Sequence, residues 1–233
     1  MKIQINSTSG TLIFEYDCEN NTICKTVEEA VRQNISLYSA DLSSADLSSA
    51  DLYSANLSSA DLSSANLSSA NLSLANLSSA NLSSADLYSA NLSSANLTSA
   101  KLSSADLYSA NLTSAKLSSA NLYSANLSSA NLSSADLYSA NLSLANLTSA
   151  NLTSANLSSA DLTSADLPIF CKWSHLIQDN KIKIGCKIKT IQEWDLFFNS
   201  DEIYETERNT QEFKQIEAVF LAYKAYITHL NTK

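Results

Sequence analysis

From Ala40 to Ala165 an alanine recurs at every fifth residue, and from Leu37 to Leu167 a leucine does the same. The phrase reads Ala, then Asp or Asn, then Leu, then two small residues, most often Ser-Ser, and it runs without an insertion. A strict period of five constrains the fold more than any other feature of this chain, because neither regular structure accommodates it. On an α-helix five residues advance by about 500°, so successive leucines step around the axis and no apolar stripe forms. On a long straight strand an odd period sends alternate leucines to opposite faces. Disorder is a poor fit too. The whole chain holds two glycines, Gly10 and Gly185, and one proline, Pro168, whereas flexible linkers are rich in both and lack an apolar residue at fixed spacing.

The period works if each unit is a short extended piece followed by a corner. In Ala40-Asp41-Leu42, Ala and Leu point one way and Asp41 the other. Ser43 and Ser44 then turn the chain toward Ala45. Winding this phrase fills an interior with Ala and Leu, turns Asp, Asn and Ser outward, and stacks successive coils as parallel strands about 4.8 Å apart.

The uninterrupted Ala-(Asp/Asn)-Leu-x-x array resembles the pentapeptide-repeat family over Ala40 to Ile169. That resemblance implies an all-β solenoid, a right-handed quadrilateral β-helix with four units to a coil, here a rod roughly 30 Å long. The flanks, from Met1 to Leu37 and from Cys171 to Leu230, resemble the ends of pentapeptide proteins encoded by bacteriophages and prophages, a likeness that implies no activity.

Three segments follow: an N-terminal cap over 1–39, the repeat over 40–169, and an α+β domain over 170–233. In the cap, Lys2–Ile5 and Thr11–Tyr16 are expected to form a hairpin around Ser7–Gly10. A short helix should follow, with Thr26 and Glu29 as its capping box and Val27, Ala30 and Val31 as its apolar face. Ile35-Ser36-Leu37 then enters the coil. Beyond Pro168 the alternation from Ile182 through Gly185 to Ile188 predicts one strand, paired with the stretch Ile169–Ile177. Thr190 with Glu193 is a second capping box. The last helix carries Phe213, Ile216, Phe220, Tyr223, Ile227 and Leu230 on one seam. Such a seam suits packing on its own domain or pairing with a second copy as a homodimer.

The net charge is −9, and most of it lies on the repeat, which holds nine Asp and two Lys. Direct binding to nucleic acid needs Lys and Arg, so it is not expected. With four units per coil, outward residues 20 apart stack. Asp41, Asp61 and Asp161 then share a column with Lys101, and Asp46, Asp86, Asp106 and Asp166 share the next. These seven aspartates make a candidate acidic interaction edge. Family members resembling this rod bind type II topoisomerases by imitating DNA, so a gyrase-directed mimic is the alternative reading. Duplex DNA carries roughly 18 charges over about 30 Å, against a net six on this edge.

Catalysis is not expected. The repeat contains no His, Cys, Glu or Arg, hence no neutral-pH base and no activated nucleophile. The spacing of Cys171, His175, Cys186 and His229 matches no recognised zinc pattern, so neither metal nor cofactor is expected. Cys18, Cys24, Cys171 and Cys186 read as reduced packing residues. No secretory signal and no membrane-length apolar run is visible. The expectation is a cytoplasmic, non-catalytic rod that engages a protein partner.

Overall fold

The computed structural model describes residues 1–166, 175–178, 181–184 and 187–200, together with Glu217, Phe220 and Lys224. It separates into two compact units, Met1–Pro168 and Ile169–Lys233.

The first unit is a four-sided β-helix behind a small cap. Parallel bridges join residues 20 apart without a break, from Asp41↔Asp61 to Asn146↔Asp166, so four pentapeptides make one coil. Each unit accounts for its backbone N–H groups in a fixed way. The Leu N–H donates to the Asp, Asn or Lys carbonyl of the next coil, as in Leu47 to Asn66 at 2.7 Å. The second corner residue donates to the next coil too, as in Ser44 to Ser63 at 2.9 Å. The Asp or Asn N–H donates to the previous coil, as in Asp61 to Ala40 at 2.9 Å. The Ala N–H closes the corner on the preceding Leu carbonyl, as in Ala45 to Leu42 at 3.1 Å.

Every corner has the same strained residue. From Ser39 to Ser164 each second corner position has φ between +52° and +61°, the left-handed region that favours glycine. With φ positive only at that position and a bond from Ala to Leu, each corner is a type II turn. Serine occupies it almost throughout, and Leu74 and Leu144 do so twice. Interior packing and coil-to-coil bonds hold the strain in place. The leucines at the third place of each phrase, from Leu37 to Leu147, are at most 2% exposed, and each contributes on the order of 2 kcal/mol by leaving water.

The cap begins with an antiparallel hairpin of β1 (Lys2–Asn6) and β2 (Leu12–Asp17). Helix α1 (Ile23–Arg32) follows and buries Thr26, Val27 and Ala30. It starts a turn before the expected Thr26 box: Thr22 is the N-cap and accepts from the Lys25 N–H at 3.1 Å. Thr26 lies inside the helix, where its hydroxyl donates to the Thr22 carbonyl at 2.9 Å. A Schellman closure ends α1, with Asn34 at φ +56° and the Ile35 N–H on the Ala30 carbonyl.

This cap blunts the first edge of the solenoid. Ser7 bridges Ala40, and the Asn6 carbonyl accepts the Asp41 N–H at 2.8 Å. Glu28 on α1 accepts the Asp51 N–H at 2.9 Å. Both N–H groups belong to the first coil, which has no earlier coil to bond.

In the second unit, β3 (His175–Gln178), β4 (Lys181–Ile184) and β5 (Lys187–Thr190) form an antiparallel meander in that order. The single strand expected through Gly185 is therefore two strands, because β4 and β5 pair with each other, Ile184 against Lys187. Helix α2 (Ile191–Phe198) opens on the expected Thr190/Glu193 capping box and buries Trp194 and Phe197.

Candidate interaction face of the coil

The outward side chains are ordered by one repeated device. The Asp or Asn Oδ1 accepts the N–H two residues on, at 3.0 Å for Asp61 and Ser63. Where that residue is Ser or Thr its hydroxyl commonly adds a second bond, at 2.7 Å for Ser63. This N–H is the fifth of each unit, and no main-chain acceptor reaches it. An Asx side chain thus completes the accounting for each pentapeptide that carries one. Lys101 and Lys116 offer no acceptor, and among the described residues the N–H groups of Ser103 and Ser118 have no protein partner.

A second set of bonds runs along the rod. Each participating Asn donates Nδ2 to the Oδ1 of the residue one coil earlier. Bonds to a carboxylate run from 2.9 Å, as from Asn126 to Asp106, to 3.2 Å, from Asn66 to Asp46. Bonds to an amide oxygen are longer on the whole, from 3.2 Å between Asn151 and Asn131 to 3.5 Å between Asn91 and Asn71. Charge assistance explains the difference. The ladder has a direction, so an aspartate receives well from the coil above but has nothing to donate to the coil below.

The seven candidate aspartates occupy two neighbouring columns. Asp41, Asp61 and Asp161 lie in one with Lys101, and Asp46, Asp86, Asp106 and Asp166 in the other. Asp61 and Asp106 are half-buried and the other five exposed. The Ser63 hydroxyl, followed by backbone and Asn81 bonds, holds the Asp61 carboxyl below the usual carboxylate range. The Ser48 contacts do the same for Asp46. In two places carboxylates stack directly, Asp41 with Asp61 and Asp86 with Asp106.

The Asp86–Asp106 step carries a feature no other step has. Tyr88 and Tyr108 stand in the first corner position of the same two rungs, with ring centroids 5.6 Å apart and planes at 13°. Sequence spacing predicts this contact. It does not predict its consequence: tyrosine supplies no hydroxyl near Oδ1, so Asp86 accepts only the Tyr88 N–H, at 2.9 Å, among the described residues.

Of the candidate dimer seam, Phe220 is described. It is helical, 1% exposed, and stacked on Phe198 of α2 at 4.8 Å. One turn on, Lys224 pairs with Asp195 at 2.7 Å. Phe213, Ile216, Tyr223, Ile227 and Leu230 lie outside the described residues, as do Cys171, Cys186 and His229. Cys18 and Cys24 are free thiols. Sequence reasoning did not single out a groove of about 690 Å³ between α1 and the first coil, lined by Glu28, Arg32, Asp51 and Tyr53 among others. Among the described residues no helix is long and apolar enough to cross a membrane.

A coil of 20 residues with Leu and Ala inside defines a right-handed quadrilateral β-helix. The Pentapeptide repeats family profile matches in eight copies, over residues 33–58, 55–93, 90–128 and 130–167. The chain belongs to the pentapeptide-repeat family. It is similar to the solved structure of Rfr23, a pentapeptide repeat protein of the cyanobacterium Cyanothece 51142, at 41% identity over 40% of this chain and 63% of that one, with a TM-score of 0.39. The chain thus spans less than two thirds of that protein. It is similar to HetL of Nostoc sp. strain PCC 7120, a protein involved in heterocyst differentiation regulation, at 32% identity over 55% of this chain and 85% of that one, with a TM-score of 0.37. QnrB1, a plasmid-mediated fluoroquinolone resistance protein, matches at 23% identity over 55% and 70% of the two chains, with a TM-score of 0.29. Among curated proteins, none matches the chain.

Proposed function

We propose that the protein is a non-catalytic, cytoplasmic interaction rod that presents its acidic edge to a protein partner. The observation that supports this most is the fixed spacing of the two aspartate columns. Asx closure holds each outward Asp and Asn side chain, with the Nδ2 ladder adding a second bond to many, so the carboxylates form a preorganised array one coil apart. Preorganisation lowers the entropy lost on binding, and a one-signed edge steers an oppositely charged partner. A DNA mimic aimed at a type II topoisomerase is the weaker reading, since the edge is interleaved with neutral Asn and carries about a third of the charge of duplex DNA.

The test is affinity capture from a bacterial lysate with the parent chain and with Asp41, Asp46, Asp61, Asp86 and Asp106 all changed to Asn. Asparagine preserves the closure and extends the ladder, so the variant keeps its fold. A partner held by the parent, released by salt and lost from the variant supports the reading. A partner held equally by both overturns it. Gyrase supercoiling inhibited by the parent alone would favour mimicry instead.

A further inference from the structure

The Asp86–Asp106 step departs from the ladder in two independent ways at the same rungs. Stacked carboxylates stand where Asn would bond, and stacked tyrosines stand where the neighbouring rungs of that column have Ser68 and Ser128. Each change costs the coil a hydrogen bond that the usual residue would make. An Asn at position 106 would donate to Asp86 as Asn126 donates to Asp106. A Ser at position 88 would give the Asp86 Oδ1 the hydroxyl that Ser128 gives Asn126 at 2.6 Å. The tyrosine rings remain 47% and 39% exposed, although they lean on one another. Asp86 keeps one carboxylate oxygen with no protein donor among the described residues.

We propose that this Tyr88–Tyr108 platform is the docking point of the rod, and that it takes an arginine side chain from a basic segment of the partner protein. The inference rests on the interaction-rod reading and gives it a location and a chemistry. A guanidinium is planar, stacks on tyrosine faces and donates in a fork to carboxylates. The platform offers an aromatic face together with the acceptors Asp86 and Asp106 two residues back on the same rungs. Lysine, a strongly hydrated point charge, gains the Coulomb attraction but not the stacking or the fork. The other exposed tyrosines do not reproduce the arrangement. Tyr38, Tyr53, Tyr123 and Tyr138 each stand without a stacked aromatic partner among the described residues, and Tyr123 follows Asn121 rather than an aspartate.

The probe is a fluorescein-labelled dodecapeptide of four Arg-Gly-Gly units, with Lys-Gly-Gly as its counterpart, titrated by fluorescence anisotropy at physiological salt. The full chain is compared with Tyr88→Ser/Tyr108→Ser, with Tyr123→Ser/Tyr138→Ser as a matched control, and with Asp86→Asn/Asp106→Asn. Serine is the usual residue at these positions, and circular dichroism with thermal melting verifies that each variant is folded. The expected result is that the Arg peptide binds the parent about tenfold more tightly than the Lys peptide. Removing Tyr88 and Tyr108, or the two carboxylates, should weaken it by about tenfold, while the control pair changes it less than about twofold. Equal loss in the control pair, or equal binding of Lys and Arg peptides, overturns the platform while leaving an acidic rod in place. No binding of the Arg peptide overturns the platform as well, and lysate capture with the five-Asn variant then decides separately whether the edge binds any protein.

Discussion

The coil and the cap that precedes it stabilise backbone in opposite ways. In the coil one rule is applied again and again: Leu and Ala fill the inside, two N–H groups point up the rod, one points down, one closes the corner, and an Asx oxygen takes the fifth. In the cap each contact occurs once. Asn6 takes the Asp41 N–H, Glu28 takes the Asp51 N–H, and Asn34 alone allows α1 to close into Ile35. Repetition makes the coil sturdy but nearly blind to register, since a slip by one unit returns an almost identical lattice. The cap supplies what the repeat lacks, a unique start.

Breaking the interior of the coil should have the largest effect. Leu102 is fully buried, so Leu102→Asp places an unpaired charge among leucines and should cost about 5 kcal/mol or more. Loss of the β-rich circular dichroism signal would show it, and a variant that melts with the parent would remove the distinction between interior and exterior. Removing a single cap contact should do less. Glu28→Ala leaves the Asp51 N–H to water and should cost about 1 kcal/mol, read as a lower melting midpoint. An unchanged midpoint would mean the first coil needs no such acceptor.

Stabilising changes sharpen the comparison further. Asp106→Asn should gain about 0.5–1 kcal/mol by adding an Nδ2 bond to Asp86 and removing a like-charge apposition. Denaturant titration reads it, and a loss of stability would contradict the directional ladder. Leu74→Gly relieves a side chain held at φ +61°; after the extra freedom of the unfolded glycine is subtracted, the gain should be about 0.5 kcal/mol.

Acid should have the mildest effect. Asp46 and Asp61 titrate lower in the fold than the ordinary Asp value of 3.8. Their contribution is therefore complete above that value and lost as pH falls through the folded one. The melting temperature should decline below about pH 4, and Asp61→Asn should flatten part of that decline. A midpoint that rises on acidification would reverse the sign of the Ser63 contact.

Much of the coil was legible in the sequence because its information is redundant. The period excludes helix and strand, Leu at the third place of each phrase defines the inside, and spacing of 20 places Tyr88 over Tyr108. The corner conformation was hidden, since serine, and twice leucine, rather than glycine holds the left-handed corner positions and local sequence gives no sign of it. The role of Asx was half visible: ladder bonds follow from stacking, but closure of the fifth N–H requires knowing which N–H groups the main chain leaves over. Where contacts are single, sequence carries less of the structure. Thr26 and Thr22 both precede plausible helix turns, and only the burial of Thr26 against the cap decides between them. The Lys181–Thr190 alternation is continuous in sequence, so the reversal between β4 and β5 left no period to break.

That an Asx oxygen completes the hydrogen bonding of each pentapeptide carrying Asp or Asn can be measured amide by amide with native-state hydrogen exchange followed by NMR. Leu42 to Leu147 N–H groups should be the most protected, the N–H groups following each Asp or Asn rung should be intermediate, and those of Ser103 and Ser118, which follow lysines, should exchange fastest within the coil. Protection of Ser103 and Ser118 equal to that of Ser63 and Ser83 would contradict it.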